Sequence, residues 1–501
     1  MELKVEKQAL KILVQVDRFL NENKIYGYLV GGFVRDIIIG RSTADIDIAI
    51  SDDAISTAFL MAERLSGKCV ILDEVNRIAR VVLYSQSEID SPLRWHIDFT
   101  TIFENILQDL TRRDFTVDAM AINLHSFVDN NKICDLIDPL KGQIELNRKL
   151  IKVVNESVFE ADPARLLRAV RLAAELEFRI ADDTASLLMK SCSLLKQVAG
   201  ERIREELLRI LNTHKAGYFV RYLDNLGFLT VLIPELEFSR GVEQPKEHHW
   251  DVLNHSLEAV CTTGFILRQT GCDYADVKLL DELQWDEEIV THFSEEISSG
   301  SSRITLLKLA ALLHDIAKPE TRIISKERVR FFGHTDQGAD VVVGILERLR
   351  FSNRETKLVE TLIRYHMRPT QMSKEGMPSQ KAIYRFFRDS GSSGVDILFL
   401  SLADHLAARG PELDILQWKW HVQLVNFVLA EYFRQRKLEI PSRLLNGHDL
   451  IKNFNLQPGP MIREMLELVQ EAQVAGEIKT RDEALSYIKN RLLYREQKLE
   501  K

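Results

Sequence analysis

The segment Gly31-Gly32-Phe33-Val34-Arg35-Asp36, followed by Asp45-Ile46-Asp47-Ile48, constrains the fold more than any other part of the chain. The apolar residues Tyr28-Leu29-Val30 precede the two glycines, which is typical of a strand that runs into a tight turn, and a helix can begin directly after them. Because side chains alternate between the two faces of a strand, Asp45 and Asp47 are predicted to share one face, with the isoleucines on the other. The pattern therefore predicts a pair of carboxylates beside a glycine turn.

Two carboxylates beside such a turn suit metal-dependent chemistry on a phosphate. Mg²⁺ prefers carboxylate and phosphate oxygens, and two such ions can activate an attacking hydroxyl while they stabilise a leaving pyrophosphate. The glycines allow backbone N–H groups to approach a phosphate, and a helix N-terminus adds positive potential. The residues alone leave two simpler interpretations open: a surface strand with two solvated acids, and a plain turn at Gly31-Gly32.

Length and composition set the broad class. The chain has 501 residues, 45% hydrophobic and 28% charged, which is enough for about two to four globular domains. Its 66 Lys and Arg against 74 Asp and Glu give a net charge of -8, so any contact with nucleic acid must use a local basic patch. With no long apolar run, we expect no export signal, no membrane span and a cytoplasmic location.

The cysteines fit a reducing environment. They are scattered and include no Cys-x-x-Cys pair, which argues against a disulfide framework or a zinc knuckle. The five are Cys69, Cys134, Cys192, Cys261 and Cys272.

Further motifs follow the two opening segments in a fixed order. They are Arg112-Arg113-Asp114-Phe115-Thr116-Val117-Asp118-Ala119-Met120, Ile137-Asp138-Pro139-Leu140-Lys141-Gly142, Asp162-Pro163-Ala164-Arg165-Leu166-Leu167-Arg168-Ala169-Val170-Arg171 and Gly200-Glu201-Arg202-Ile203-Arg204-Glu205-Glu206-Leu207. Together with the opening segments, they resemble the five motifs of the bacterial-type (class II) tRNA nucleotidyltransferases and their relatives, the bacterial poly(A) polymerases. The resemblance covers residues 25 to 211.

This resemblance implies a polymerase-β-like head that adds nucleotides to RNA 3′ ends without a template. It implies that Asp45 and Asp47 are catalytic and bind Mg²⁺, and that Gly31, Gly32 and Arg35 hold the triphosphate. The residues implied to shape the nucleotide pocket are Arg112, Asp114, Asp162, Arg165 and Arg168. The implied substrates are the tRNA 3′ end with CTP and ATP.

The pair Asp162 and Arg165 offers a physical account of base selection. The two residues stand at i and i+3, so they are neighbours on one helix face. An Asp accepts and an Arg donates, which matches the edge of cytosine or adenine, where an amino donor lies beside a ring-nitrogen acceptor. Uracil and guanine would face acceptor with acceptor and donor with donor. A plain intrahelical salt bridge is the simpler alternative.

Several residues depart from the family pattern and bear on base preference. Ala161 stands where an acidic residue usually precedes the equivalent of Asp162, Asp118 stands for the usual Asn, and Lys141-Gly142 for two glycines. The stretch between Asp98 and Arg112 is also shorter than the loop that helps full CCA-adding members switch from cytidine to adenosine. A specialised CC-adding or A-adding enzyme is therefore an open alternative to a full CCA-adding one.

A second set of residues lies between positions 245 and 410, where histidines cluster. His255, His314-Asp315 and Asp404 resemble the ligand order of the HD phosphohydrolase superfamily, and His334 and His366 occur where two-metal members supply further ligands. Mixed His and carboxylate ligation suits Mn²⁺, Fe²⁺, Co²⁺ or Ni²⁺, and metal-activated water can attack a phosphoester. The resemblance implies action on RNA ends, including 2′,3′-cyclic phosphates. We expect His248, His292 and His405 to be core or surface residues instead.

The combined prediction is a multidomain α+β chain. It places a mixed-sheet nucleotidyltransferase head at residues 1–155, an all-α neck for nucleotide and RNA at 156–235, an all-α HD domain at 236–410 and a helical tail at 411–501. A poly(A) polymerase is the nearest alternative, but Ser66-Gly67-Lys68-Cys69-Val70 does not match the signature that such enzymes usually carry after the Asp-x-Asp strand. An HD phosphohydrolase with a non-catalytic RNA-binding head is the alternative of a different class.

Overall fold

The computed structural model describes residues 6–84, 94–130, 135–325, 328–374, 376–437 and 443–499. The chain forms two compact units. The first comprises the described residues of 1–206 together with 225–232, and the second those of 207–224 and 233–501. Cys134, one of the five cysteines, lies outside the described residues.

A seven-stranded mixed sheet forms the centre of the first unit. Its strands are β1 Gly27–Val30, β2 Asp45–Ile50, β3 Lys68–Asp73, β4 Ile78–Tyr84, β5 Arg94–Thr101, β6 Ala121–Asn123 and β7 Leu136–Ile137. The spatial order is β3-β4-β5-β2-β1-β6-β7. β2 and β5 run parallel, and the other neighbouring pairs are antiparallel. This order puts β2, with its two aspartates, between β1 and β5 in the middle of the sheet.

Helices cover the sheet and continue beyond it. From the N-terminus to residue 232 they are α1 Lys7–Glu22, α2 Gly31–Ile39, α3 Ala54–Arg64, α4 Ile106–Thr111, α5 Leu124–Asn130, α6 Gly142–Arg148, α7 Val158–Ala161, α8 Arg165–Leu176, α9 Asp182–Ser191, α10 Gly200–Leu211, α11 Ala216–Asn225 and α12 Phe228–Leu232. α1 is amphipathic and buries Leu13, Val16 and Leu20, as its apolar periodicity predicts. α3 packs on β4 and β5, and α2 packs on β2.

The second unit is mostly helical. After residue 232 its helices are α13 Val252–Ile266, α14 Glu287–Phe293, α15 Arg303–Leu313, α16 His334–Arg348, α17 Asn353–Tyr365, α18 Arg368–Met372, α19 Gln380–Ser390, α20 Ser393–Arg409, α21 Ile415–Lys437, α22 Gly447–Phe454, α23 Pro460–Val474 and α24 Arg481–Leu499. α13, α15 and α20 are apolar on nearly every side, and they pack together as the core of this unit. A smaller core around Leu450, Met465 and Ile488 joins α22, α23 and α24.

Short 3₁₀ helices join several of these elements. They span Thr116–Asp118, Cys192–Gln197, Pro234–Ser239, Val277–Leu280 and Gly410–Glu412.

The predicted architecture of a mixed-sheet head and a helical body is confirmed. The prediction of an all-α neck and an all-α HD domain needs one correction, because short strand pairs interrupt the helices. They are β8 Leu150–Ile151 with β9 Arg179–Ile180, β10 Glu296–Ser298 with β11 Ser301–Ser302, and β12 Arg322–Ser325 with β13 Arg328–Phe331. Such segments are too short for a strand period to show in the sequence. Within the described part of the chain, every helix is too short or too polar to cross a lipid bilayer.

Candidate active site and metal centre

Asp45 and Asp47 lie on one face of β2, as the alternating pattern predicts, while the two isoleucines between and after them are buried. The backbone N–H of Phe33 donates to Asp47 Oδ2 at 3.3 Å, so the start of α2 is directed at this carboxylate. Gly31 opens α2 with a φ of +64°, and a Cβ there would lie 3.0 Å from Asp47 Oδ2 and 2.9 Å from Arg113 Nη1. Glycine is thus required at this position for both backbone conformation and space.

A third carboxylate lies beside the pair. β5 runs parallel to β2 in a register that places Asp98 next to Asp47. Arg80 on β4 holds Asp98 through two hydrogen bonds of 2.7 Å, and His96 Nδ1 lies 2.8 Å from Asp45 Oδ1. Burial and the negative charge of Asp98 raise the pKa of Asp47 to about 6. The sequence analysis did not identify Asp98, although the alternation His96-Ile97-Asp98 carried a signal for it.

Arg35 lies buried behind the glycine turn. Its Nε donates to Asp36 Oδ1 at 2.9 Å and its Nη1 donates to Asp118 Oδ1 at 2.6 Å. Burial opposes the charge of Arg35, but the two carboxylates outweigh it and raise the pKa of the guanidinium. A Cβ at Gly32 would lie 3.4 Å from Arg35 Nη2, so the fixed positive charge is adjacent to the turn.

The same ion-pair network continues to α8. Arg168 Nε lies 2.9 Å from Asp114 Oδ2, and its Nη2 lies 4.0 Å from Asp118 Oδ2. The two carboxylates raise the pKa of Arg168 against the opposing effect of burial. Asp118, which replaces the family's usual Asn, therefore lies between Arg35 and Arg168, and its charge is balanced.

The two arginines of the second motif occupy different places. Arg112 is exposed and its Nη2 lies 3.5 Å from Oε1 of Glu104. Arg113 is half-buried, donates to Asp109 at 3.1 Å and lies beside Gly31 and Asp47. The structure thus places Arg113 at the site, a residue that the sequence analysis did not select.

Asp162 and Arg165 lie close together, but the prediction that they share a helix face is wrong, because Asp162 precedes α8 in extended backbone. Arg165 Nε is 3.8 Å from Asp162 Oδ2. A further guanidinium, that of Arg202, holds both oxygens of Asp162 at 2.9 and 2.8 Å. Burial works against the charge of Asp162, but Arg202 and Arg165 hold its pKa below the usual range. Arg202 was also not selected from the sequence, because its partner lies far away along the chain.

The donor set on β2 fits a hard divalent cation. Asp45 and Asp47 offer carboxylate oxygens on one face, and Asp98 adds negative charge beside them. Burial, followed by the charge of Asp98, raises the pKa of Asp47 in spite of the nearby Arg113, so a bound cation would relieve a cost that the folded head carries. Carboxylate oxygens at such a place are the ligands that Mg²⁺ prefers.

The histidine-rich residues of the second unit form one buried cluster. His255 Nε2 lies 3.0 Å from Asp404 Oδ1 and 3.2 Å from His314 Nε2, and His314 Nε2 lies 3.1 Å from Asp315 Oδ2. Asp315 Oδ1 lies 3.7 Å from His334 Nε2 and 3.9 Å from His366 Nε2. The structure therefore brings all six predicted HD residues together.

Three of these histidines have a fixed orientation. Nδ1 of His314, His334 and His366 donates to a backbone carbonyl three residues earlier, at 2.8, 2.8 and 2.7 Å. A ring whose Nδ1 donates to a backbone carbonyl directs Nε2 into the cluster, which is how metal-binding histidines are usually held.

The electrostatics of the cluster also fit a cation. Burial opposes the charges of Asp315 and Asp404, but the histidines around both, and Lys318 at 2.6 Å from Asp315, hold their pKa values well below the usual range. Asp315 and Asp404 in turn raise the pKa of His314 to about 10 against the effect of burial. His255, His314 and Asp404 offer ligand atoms within 4.8 Å of one another, and so do His314, Asp315 and His366. Mixed imidazole and carboxylate ligands suit a transition metal.

The three histidines that we expected to be core or surface residues differ in surroundings. His292 Nε2 lies 2.9 Å from Asp396 Oδ2 in a separate buried ion network, and the ring of His405 stacks on His421 at 5.1 Å. His248 lies with its ring 5.5 Å from that of His255, and burial lowers its pKa to about 3. His248 therefore borders the cluster, where the sequence analysis expected a core or surface residue.

Four protein-family models match the chain. "Poly A polymerase head domain" matches residues 27–152, "Probable RNA and SrmB- binding site of polymerase A" residues 177–239, "HD domain" residues 252–409 and "tRNA nucleotidyltransferase domain 2 putative" residues 428–488. The matched order agrees with the two clusters described above: the carboxylates fall in the first model and the histidines in the third.

Similar proteins span almost the whole chain. An A-adding tRNA nucleotidyltransferase of Deinococcus radiodurans is 32% identical over 92% of this chain and 94% of its own. A CC-adding tRNA nucleotidyltransferase of Thermus thermophilus is 30% identical over 92% of each. Among solved structures, the Thermotoga maritima CCA-adding enzyme complexed with tRNA has a TM-score of 0.60 at 22% identity, covering 98% of this chain and 97% of its own, and shares the fold.

Proposed function

The chain belongs to the tRNA nucleotidyltransferase family, and we propose on this premise that it extends the 3′ end of tRNA from CTP or ATP without a template. The observation that carries the proposal is the β2 face, where Asp45 and Asp47 lie beside the N-terminus of α2. Metal-binding carboxylates and a phosphate-binding helix start are the two parts that nucleotidyl transfer requires.

We infer that the enzyme is specialised and adds CC. β5 ends at Thr101 and α4 begins at Ile106, so only a short connection precedes the second motif. The resemblance to the family associates a longer loop here with the switch from cytidine to adenosine. Four relatives that align over more than nine-tenths of this chain are one A-adding and three CC-adding enzymes. Addition of A alone is the second candidate, because the Deinococcus radiodurans relative carries that specificity.

Each part of the head has a defined task in the proposed reaction. Asp45 and Asp47 would hold Mg²⁺, which when bound would supply charge stabilisation at the transferred phosphate and activation of the attacking hydroxyl. The N–H groups at the start of α2, opened by Gly31 and Gly32, bind the triphosphate, and Arg35 adds a fixed positive charge behind them. The triphosphate is thus held beside the metal-binding face of β2.

The base is selected at the other end of the pocket. Asp162 accepts from the amino group of cytosine or adenine, and Arg165 donates to the neighbouring ring nitrogen. Arg168 and Asp114, which form an ion pair, and the exposed Arg112 would shape the nucleotide pocket. Uracil is rejected because its carbonyl would face the Asp162 acceptor and its ring N–H would face the Arg165 donor.

The test uses tRNA transcripts that end at the discriminator base, at C and at CC. Each is incubated with Mg²⁺ and with CTP, ATP, UTP or CTP plus ATP, and products are read at single-nucleotide resolution. We expect CC addition to the first transcript and no extension of the CC-ended one. Addition of A to the CC-ended transcript alone would establish the A-adding alternative, and long adenosine tracts would establish a poly(A) polymerase.

Two variants connect the activity to the head. Asp47→Asn removes a proposed metal ligand and should abolish incorporation. Asp129→Asn changes an exposed aspartate on α5 and serves as the matched control, with activity retained. Incorporation by Asp47→Asn at the wild-type rate would contradict the proposed site.

For the second unit, we propose a metal-dependent phosphohydrolase that acts on RNA ends, including 2′,3′-cyclic phosphates. His255, His314, Asp315 and Asp404 would hold a transition metal (Mn²⁺, Fe²⁺, Co²⁺ or Ni²⁺), and His334 and His366 a second one. Such metals lower the pKa of bound water and provide a nucleophile for phosphoester hydrolysis. The division of labour proposed for the chain is a transferase head at 1–155, a nucleotide- and RNA-binding neck at 156–235, the hydrolase at 236–410 and a helical tail at 411–501.

Hydrolysis is tested on an RNA that ends in a 2′,3′-cyclic phosphate, with each metal added in turn. His314→Ala should abolish hydrolysis and leave nucleotide incorporation intact, while His214→Ala, an exposed histidine of the same unit, should retain both. If Asp45→Ala instead left all RNA processing unchanged and His314→Ala abolished it, the head would be a non-catalytic RNA-binding module.

A further inference from the structure

The carboxylate of Asp162 is held by an arginine from a distant part of the chain. Arg202, near the start of α10, donates from Nη1 to Oδ1 at 2.9 Å and from Nη2 to Oδ2 at 2.8 Å. Two parallel N–H···O bonds fix the plane of a carboxylate as well as its position. Asp162 itself precedes α8 in extended backbone, so the ion pair joins the starts of two helices.

The hydrogen bonds around Asp162 leave a defined acceptor. Each carboxylate oxygen can accept two hydrogen bonds. Oδ1 accepts from Arg202 Nη1 and from the backbone N–H of Ala164 at 3.2 Å, so both of its positions are used. Oδ2 accepts from Arg202 Nη2 alone among the described residues. Oδ2 therefore keeps one acceptor position, and Nε of Arg165 lies 3.8 Å from this oxygen.

We propose that Arg202 is a positioning residue for base selection, which orients Asp162 so that the remaining acceptor of Oδ2 lies beside the donors of Arg165. This inference rests on the proposed function of Asp162 and Arg165. An acceptor next to a donor is the arrangement that pairs with the amino group and ring nitrogen of cytosine or adenine. Arg202 selects the base through Asp162 and needs no contact with the nucleotide.

The selectivity depends on the fixed orientation. Uracil presents an N3–H donor between two carbonyl acceptors. A carboxylate that rotates freely can shift to accept from that N3–H, while Arg165 donates to a uracil carbonyl. With Arg202 in place, this shift breaks two charge-assisted hydrogen bonds, so uracil is rejected. Arg202 also keeps Asp162 ionised, because its hydrogen bonds lower the pKa of the carboxyl group.

The experiment compares Arg202→Met and Arg202→Lys with the wild-type enzyme. Steady-state kcat and KM are measured for CTP, ATP and UTP on the tRNA transcripts defined above. Arg202→Met should reduce the preference for the wild-type nucleotide over UTP by about 10- to 100-fold, chiefly through KM. Arg202→Lys keeps the positive charge but can donate only a single hydrogen bond to Asp162. Its preference for the wild-type nucleotide over UTP should lie between those of the wild-type enzyme and Arg202→Met.

The matched control is Arg240→Met. Arg240 makes a bidentate pair with Asp224 at 3.2 and 2.8 Å and also donates to Glu237, all within the second unit, so its loss breaks a similar pair outside the proposed base-selection site. We expect a comparable change in thermal stability and no change in nucleotide preference.

Two results would overturn the inference. An equal loss of activity with all nucleotides and an unchanged preference would show that Arg202 is only structural. A lower KM for CTP in Arg202→Met would show that Arg202 competes with the base for Asp162. A wild-type enzyme that incorporates no nucleotide, or shows no preference over UTP, would instead refute the proposed function itself. If Arg202→Met does not fold, Arg202→Lys supplies the same comparison of nucleotide preference.

Discussion

Replacement of Asp47 by Asn should stabilise the metal-free protein while it abolishes nucleotide addition. Burial and Asp98 raise the pKa of Asp47 from 3.8 to about 6, which means that the folded head disfavours the charged form. A shift of about two pKa units corresponds to about 3 kcal/mol. Asn is close in shape, carries no charge and can still accept the hydrogen bond from the backbone N–H of Phe33.

The stability difference between the wild-type protein and Asp47→Asn should depend on pH. Above pH 6 Asp47 is ionised in the folded and unfolded states, so the wild-type protein carries the full cost of the buried charge. Between pH 6 and pH 3.8 the folded state binds the proton first, and the cost disappears. The Asn variant should therefore be more stable by up to about 3 kcal/mol at pH 7 in EDTA, and the difference should vanish below pH 3.8.

The assay is thermal and urea unfolding of both proteins at pH 7 and at pH 5, with and without Mg²⁺. Mg²⁺ should stabilise the wild-type protein through binding to the folded state and so narrow the difference from the variant. Asp129→Asn, on the surface of α5, controls for the loss of one negative charge. A variant less stable than the wild type at pH 7 in EDTA, or equally stabilised at every pH, would refute this account of Asp47.

Three further predictions concern residues outside the transfer site. Lys308 is fully buried and donates to the carbonyls of Leu211 and Thr213 at 2.9 Å. Lys308→Met should therefore lower the free energy of unfolding, measured by urea denaturation, by about 2–5 kcal/mol. An unchanged midpoint of unfolding would show that those carbonyls find other donors. Lys141 has a φ of 59°, so Lys141→Gly should raise the melting temperature through a gain of about 1 kcal/mol, and a loss of stability would show that its side chain contributes more than the backbone strain costs. In the Asp47→Asn background, which removes a ligand of the head site, Mn²⁺ at 100 times its Kd should stabilise the EDTA-treated protein by about 2.7 kcal/mol. Adding His314→Ala should remove this response, and a double variant that still responds would place the metal elsewhere.

The parts of the head that follow from local sequence were predictable. The alternation of Asp and Ile placed both aspartates on one face of β2, and the glycine turn before Phe33 placed the start of α2. Both depend on neighbouring residues and on the geometry of a single strand or turn. The resemblance to family motifs then assigned roles to Asp162 and Arg165, which the structure places side by side.

Contacts between distant segments were not predictable in the same way. Asp98 lies next to Asp47 only because β5 pairs with β2 in parallel at one particular register, and a shift by one residue would turn it to the other face. Arg113 lies beside Gly31, while the adjacent Arg112 is exposed, and the sequence of two neighbouring arginines does not distinguish them. The sequence carries both residues, but their partners are set by tertiary packing.

The HD cluster shows how helix ends can pre-form a metal site. His314 directly follows α15 and His366 directly follows α17, where the last carbonyls of each helix have no helical partner. Nδ1 of each ring donates to such a carbonyl, of Ala311 and of Ile363, so one hydrogen bond both caps the helix and fixes the ring. Nε2 of each ring is then directed at Asp315 by the helix that supports it. Because this orientation follows from capping and needs no metal ligand bond, a metal ion that enters the cluster finds the imidazoles already in place, and little conformational entropy is lost on binding.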